Sequence, residues 1–198
     1  MEVAEVNLWI AKVIILLASI VMVAIRAPHA KRSHGIHVVR SRKGKLEIVL
    51  LTIAWLAFFL PLIWIATPVL SSADYALRPV PLLTGAVCLM VGLWLFHLSH
   101  ADLGANWSIT LDVREKHRLV TQGVYRRVRH PMYTALLLYS VGQALVLPNY
   151  VAGLSSGVTT ALLVALRIGP EERMMLEEFG KNYQEYMAVT KRLVPAVW

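Results

Sequence analysis

Side chains able to do chemistry gather in four stretches of the 198-residue chain, and the most suggestive holds a cation four residues ahead of a carboxylate. Arg167 ends a long apolar run, Gly169-Pro170 follow, and then come Glu171 and Glu172. A cation at the edge of the membrane run is not explained by an amphipathic surface helix; it can neutralise Glu171 one helical turn further on as a structural ion pair. The Gly-Pro pair predicts a break, with Glu171 and Glu172 in the first turn of a new helix, where acids suit the helix dipole. Leu176, Phe179, Tyr183 and Tyr186 recur at helical spacing and mark an apolar face suited to a membrane surface.

The second stretch is Tyr125-Arg126-Arg127-Val128-Arg129-His130-Pro131-Met132-Tyr133. Proline biases His130 away from the helical region and can itself open a helix. The result is an extended histidine at a helix mouth, although the same basic run also serves as a juxtamembrane stop signal. Just ahead of it, residues 113–125 carry His117, the apolar step Leu119-Val120 and a turn at Gly123. The last stretch has His97 and His100 three apart, then Asp102, Asn106, Trp107 and Ser108. A metal site would need a third ligand at matching spacing. His117 and His130 exist, but the chain has no HExxH pattern, so no metal is expected and the pair reads as interfacial histidines beside a Trp107 anchor. Lone Cys88 excludes an internal disulfide and reads as a small core residue.

The elements that position these groups are set by composition. Hydrophobic residues make up 57% of the chain and charged residues 16%, well on the membrane side of an average soluble domain. Residues 7–25 carry one charge, Lys12, near their start, and precede no small-residue cleavage site, so they read as a retained span. Residues 48–70, with Pro61 as a kink point, and residues 79–98 are charge-free spans. The charge-free run 132–166 is 35 residues, about 52 Å as one helix, too long for one crossing. Pro148-Asn149 near its middle predicts a hairpin of two short helices, eased by Gly142, Gly153, Ser155, Ser156 and Gly157. The expected fold is therefore all-α, a polytopic membrane protein with five transmembrane helices. Three spans and a basic loop fill 1–98; a catalytic region with a helical hairpin fills 99–198.

Charge placement agrees. Of 20 Lys and Arg, 18 lie in residues 26–45, 99–131 and 167–198, leaving only Lys12 and Arg78. Five spans put all three segments on one side, which the positive-inside rule makes cytoplasmic, with the N-terminus outside. The net charge of +8 then reflects topology and anionic membrane lipids, and nucleic acid is not an expected partner. Nothing in the sequence points to an obligate protein partner.

Taken together, His117-Arg118-Leu119-Val120-Thr121-Gln122-Gly123-Val124-Tyr125, then Arg129-His130-Pro131-Met132-Tyr133, then Arg167, Glu171-Glu172, Leu176, Phe179-Gly180, Tyr183, Tyr186, Arg192 and Pro195 resemble the isoprenylcysteine carboxyl methyltransferase family. The likeness runs from about His100 to Pro195; the first three spans share only hydropathy. One departure is Ala135, where the family's RHPxYxG pattern usually has glycine. The resemblance implies a membrane enzyme using S-adenosylmethionine. It implies that His117, Leu119, Val120, Tyr125, His130, Pro131, Met132 and Tyr133 line the cofactor pocket. Glu171 would hold the cofactor's amino group, and Arg167 the carboxylate of a lipophilic substrate arriving from the bilayer.

The chemistry suits those residues. A carboxylate is already a nucleophile, so methyl transfer to it needs placement and dryness more than a general base. Tyr125 or Tyr133 could face a sulfonium through cation–π attraction. Two other enzyme readings compete: amine methylation of phospholipid headgroups, with His130 taking the proton, and a sterol-type reductase using NADPH, which shares a related RHPxY element. The Arg167-to-Glu171 spacing and the Glu171-Glu172…Phe179-Gly180 block favour a methyltransferase over the reductase; amine methylation stays close behind within that class, and a non-catalytic membrane scaffold is a further class.

Overall fold

The computed structural model describes residues 7–34, 38–41, 44–104, 112–114 and 118–195. Among the described residues six helices dominate: α1 Leu8–His34, α2 Lys45–Ala66, α3 Pro79–Leu103, α4 Pro131–Val146, α5 Tyr150–Phe179 and α6 Lys181–Val189. Short 3₁₀ turns occupy Ser71–Ala73 and Gly123–Arg126. The helical architecture stands with one small addition, a two-stranded antiparallel ribbon. Its strands, β1 Val38–Ser41 and β2 Asp112–Arg114, tie the segment after α1 to the segment after α3.

Among the described residues four helices, α1, α2, α3 and α5, are long and apolar enough to cross a membrane. The fifth apolar helix, α4, has 16 residues and is about 24 Å long, short of the roughly 30 Å hydrocarbon core. Large apolar side chains point outward along these helices, among them Trp55, Leu83, Met90, Trp94 and Val158. Contiguous exposure of this kind suits lipid, not water. The interior instead holds Ala11, Ile15, Leu89, Tyr139, Val146, Leu147 and Ala152. Without a hydrophobic driving force between helices in lipid, close backbone approach carries the packing. A Cβ on Gly142 would stand 2.7 Å from the Leu89 amide nitrogen, and one on Gly92 would stand 2.9 Å from that of Tyr139. Gly142 therefore serves the α3–α4 contact, not the α4–α5 hairpin for which its spacing was read. Ser155 likewise donates to the Ala57 carbonyl of α2. Gly153 does sit in the hairpin, under the Leu147 carbonyl.

The hairpin turn falls at residues 147–149. Asn149 caps α5 by accepting from the Ala152 amide at 2.8 Å, and its side-chain amide donates to Leu70 O and Asp74 Oδ1, both at 2.7 Å. Trp64 Nε1 reaches the same Asp74 oxygen. At this end Lys12 of α1 also donates to Ile65 O of α2, and a cavity of about 350 Å³ opens between Leu8, Lys12, Trp64, Thr67 and Asp74.

The predicted break at Gly169-Pro170 is absent: α5 runs unbroken through Pro170, so Glu171 and Glu172 lie well inside a 30-residue helix and not in a first turn. Pro28 and Pro61 are likewise interior to α1 and α2. A proline removes one donor, whereas a break in apolar surroundings would strand several more backbone groups. The helix continues because that is the smaller loss.

Candidate functional site

The chemistry-bearing stretches meet at the end of the bundle opposite Lys12. Gly104 ends α3, and Asp102 in its last turn accepts from the Val124 amide at 2.8 Å. That bond fixes the turn at Gly123, where φ is +60° and a Cβ would lie 2.0 Å from Asp102 Oδ2. The turn presses Tyr125 inward, its hydroxyl 3.4 Å from Ser99 O, while Tyr186 of α6 donates to the Tyr125 carbonyl at 2.5 Å. Burial raises the Tyr125 phenol above its ordinary range, and it pushes Tyr186 up to about 12. The apolar stripe read on residues 176–186 thus packs inward through Tyr183 and Tyr186, both buried.

The chain then runs beside its own C-terminal segment. Arg129 donates its amide to Lys191 O at 2.8 Å and His130 donates to Arg192 O at 3.0 Å. Inside this seam lies Glu172, 4% exposed. Arg129 meets its Oε1 through Nε at 3.0 Å and Nη2 at 2.8 Å, and Arg192 Nη2 meets Oε2 at 2.8 Å. Arg129 Nη1 also donates to Thr190 O. A carboxylate buried this far needs such charged donors to offset its desolvation. Glu172 is therefore a structural hub joining α5, the start of α4 and the C-terminal segment.

Glu171, one residue earlier, turns to a different face. Tyr133 donates to its Oε1 at 2.9 Å, and Arg167 Nη2 stands 3.6 Å from the same oxygen. His130 spans the two acids, with Nδ1 3.5 Å from Glu171 Oε2 and Nε2 3.4 Å from Glu172 Oε1. Burial disfavours its charged form, but the bonds to Glu171 and Glu172 outweigh burial and hold the imidazole above its ordinary value. Arg167, 8% exposed, also faces Glu47 of α2, with Nη2 3.4 Å from Oε1. Arg26 of α1 lies near enough for its charge to act against that of Arg167.

Of the expected site residues, Tyr133, Glu171, Arg167 and His130 form one contiguous cluster. Pro131 opens α4 and is fully buried, Met132 is half-buried beside it, and Leu119 and Val120 are half-buried ahead of the Gly123 turn. His117 lies outside the described residues. His100 is fully buried, its Nδ1 2.9 Å from Phe96 O and its ring centroid 5.1 Å from that of His29. Glu47 was not anticipated. Its one signal is position, a lone acid between a run of seven basic residues and a charge-free span. The roles of Arg129 and Glu172 as mutual partners were equally hidden, since 43 residues separate them.

Residues 81–177 match the family described as isoprenylcysteine carboxyl methyltransferase. Protein-S-isoprenylcysteine O-methyltransferase A of Arabidopsis thaliana is 39% identical over 89 residues, 45% of each chain. The B form of the same plant is 35% identical over 96 residues, 48% of this chain and 49% of its own. The Homo sapiens protein of that name is 31% identical over 114 residues, 57% of this chain and 39% of its own. The chain thus spans about half the length of the curated relatives it matches. A solved structure of a eukaryotic intramembrane Ras methyltransferase, an isoprenylcysteine carboxyl methyltransferase, superposes with a TM-score of 0.54 at 23% identity. That superposition covers 80% of this chain and 55% of the other, and it extends the likeness of fold beyond the matched segment.

Proposed function

We propose that this chain is a member of the isoprenylcysteine carboxyl methyltransferase family, which its residues 81–177 match, and that it transfers a methyl group from S-adenosylmethionine to the carboxylate of a lipophilic, prenylcysteine-like acceptor, forming a methyl ester. The observation that carries the reading is the line Tyr133–Glu171–Arg167 at the basic end of the bundle. Its donor set fits both reactants. Glu171 is the anion able to receive the amino group of S-adenosylmethionine, and the aromatic face of Tyr133 beside it suits a sulfonium. Leu119, Val120 and Met132 offer half-buried apolar surface to the rest of the cofactor. When bound, the cofactor supplies an electrophilic methyl group and leaves as a neutral thioether.

The work of the chain's own residues is placement. Arg167 grips the acceptor carboxylate and aims one oxygen at the methyl carbon; the attacking oxygen needs no deprotonation. Burial around Arg167 keeps water from competing. His130, held by two acids, keeps Glu171 oriented. The acceptor comes from the bilayer and the cofactor from the cytoplasm, so Arg167, near the basic end of α5, stands where both arrive. An N-terminus outside and a cytoplasmic site complete this reading. Phospholipid amine methylation and nicotinamide-dependent reduction find no counterpart among the relatives above.

The test incubates purified protein with methyl-labelled S-adenosylmethionine and a panel of prenylcysteines, fatty acids and phospholipids. Base-labile label on a prenylcysteine is expected. Base-stable label on a phospholipid amine, or heat of binding with NADPH and none with S-adenosylmethionine, overturns the proposal.

A further inference from the structure

The cavity at the end of the bundle away from Arg167 has no part in the chemistry above. At about 350 Å³ it lies at the small end of the range that holds small ligands, and Lys12, Trp64, Ser71 and Asp74 line it together with the apolar Leu8 and Pro68. Lys12 Nζ donates to Ile65 O at 3.3 Å and stands 5.3 Å from the Trp64 ring centroid and 5.5 Å from that of Trp9. Among the described residues it has no acid as a partner. An ammonium carries three donors, so further ones are left for a ligand. Asp74 uses Oδ1 twice, for Trp64 Nε1 and Asn149 Nδ2, both at 2.7 Å, and no described group bonds its Oδ2. The indole of Trp64, 4% exposed, stands between the two charges, with the ammonium over its face and the carboxylate at its nitrogen.

We propose that this cavity binds the headgroup of a zwitterionic phospholipid that carries a primary ammonium, a phosphoethanolamine. The phosphate accepts from Lys12 and the Ser71 hydroxyl, and the ammonium donates to Asp74 Oδ2. Capping of α2 by a cation explains the bond from Lys12 to Ile65 O. It does not explain a carboxylate that shares the cavity with that cation and yet makes no ion pair with it. A ligand with both charges on a short ethylene bridge answers both sides at once. The surroundings select a lipid. Leu8, Trp9, Ile10 and Val69 are large, exposed and apolar at this end, and tryptophan is enriched where membrane meets water. The cavity joins α1, α2 and the segment before α3, so an occupant ties three parts of the chain together. None of this depends on the methyl-transfer reading.

The experiment uses the full chain, delipidated in detergent, with circular dichroism to check folding. Kd and melting temperature are measured with short-chain phosphatidylethanolamine, phosphatidylcholine and phosphatidylglycerol, and with free phosphoethanolamine. Wild type should bind phosphatidylethanolamine about tenfold more tightly than the other two lipids, since a trimethylammonium cannot donate to Asp74 and a glycerol carries no charge. Its melting temperature should rise most with that lipid. Lys12→Gln should weaken all three lipids about tenfold, the loss of one charge-assisted hydrogen bond. Asp74→Asn should remove the preference and leave phosphatidylglycerol binding as in wild type. Asp74 also braces Trp64 and Asn149; if that variant does not fold, the wild-type preference and Lys12→Gln decide. No saturable binding, equal binding of the three lipids by wild type, or unmoved affinity in a folded Lys12→Gln protein overturns the proposal. So does free phosphoethanolamine binding as tightly as the lipid, which would make this a site for a soluble phosphate ester.

Discussion

Glu171 and Glu172 are neighbours in sequence with different duties, because consecutive helical residues point about 100° apart. Glu172 lies between Arg129 and Arg192, so Glu172→Ala leaves the guanidinium of Arg129, 8% exposed, without its carboxylate. Breaking a buried pair from one side costs about 3–5 kcal/mol, and denaturant unfolding in detergent should register it as a large loss of stability. Arg167→Ala should do something else. If Arg167 grips the acceptor, methyl transfer should fall by roughly a hundredfold or more while S-adenosylmethionine still binds, and Arg167→Lys should restore little, because a point charge cannot make a two-bond grip. Near-normal transfer by a folded Arg167→Ala protein would remove that role. His130 gives a pH signature. Its folded-state pKa lies above the ordinary 6.5, so its contribution to stability is full below about 6.5 and fades as pH rises through the folded value. The melting temperature should therefore drop as pH climbs above 6.5, and His130→Gln should flatten that slope; an equal slope in both proteins would assign the effect elsewhere.

At the scale of elements, what was legible followed from local rules and what was not depended on distant partners. Hydropathy located all five apolar helices, and Pro148-Asn149 located the hairpin turn, because both signals act within a few residues. Gly169-Pro170 misled, since a helix end is decided by what the broken backbone would meet, and that is a property of the surroundings. Gly142 was visible as a small residue but its partner was not: only the crossing of α3 with α4 shows that it lies against Leu89 and Gly85. The family's usual glycine at Ala135 has a related explanation. Ala135 is fully buried against α3, and Gly92 on the facing helix provides the missing room, with the Ala135 carbonyl 3.1 Å from where a Gly92 Cβ would stand. A contrast follows. Gly142→Leu should cost roughly 1–3 kcal/mol or prevent folding, whereas Gly157→Ala, whose new Cβ would stand 4.0 Å from Ser140 Cβ, should be neutral or slightly stabilising. Equal losses at both positions in thermal unfolding would show that helix approach is not what Gly142 provides.

For the whole molecule, the direction of each helix decides which charges share a side. Lys12 at the start of α1 meets Ile65 near the end of α2, and the Tyr75 amide, ahead of α3, donates to Pro148 O between α4 and α5. At the other end, the His29 and His100 rings bring the C-terminal part of α1 to the end of α3, and Glu47 at the start of α2 meets Arg167 on α5. Five apolar helices therefore alternate in direction, and the three basic segments fall together at the end that carries Arg167 and Glu171. The positive-inside rule motivates the proposal that this end faces the cytoplasm. The weak point is α4, too short to span a full hydrocarbon core on its own, so a fourth crossing depends on a thinned bilayer or on a hairpin turn drawn below the far surface. Labelling decides it. In a Cys88→Ala background, single cysteines at Lys31, Lys181 and Val69, all exposed, are treated with a membrane-impermeant maleimide in right-side-out and inverted vesicles. Lys31 and Lys181 should label from the same, cytoplasmic face and Val69 from the opposite one. If Lys31 and Lys181 label from opposite faces, the α4–α5 hairpin contributes one crossing rather than two. The proposed approach of S-adenosylmethionine from the cytoplasmic side would then have to be revised.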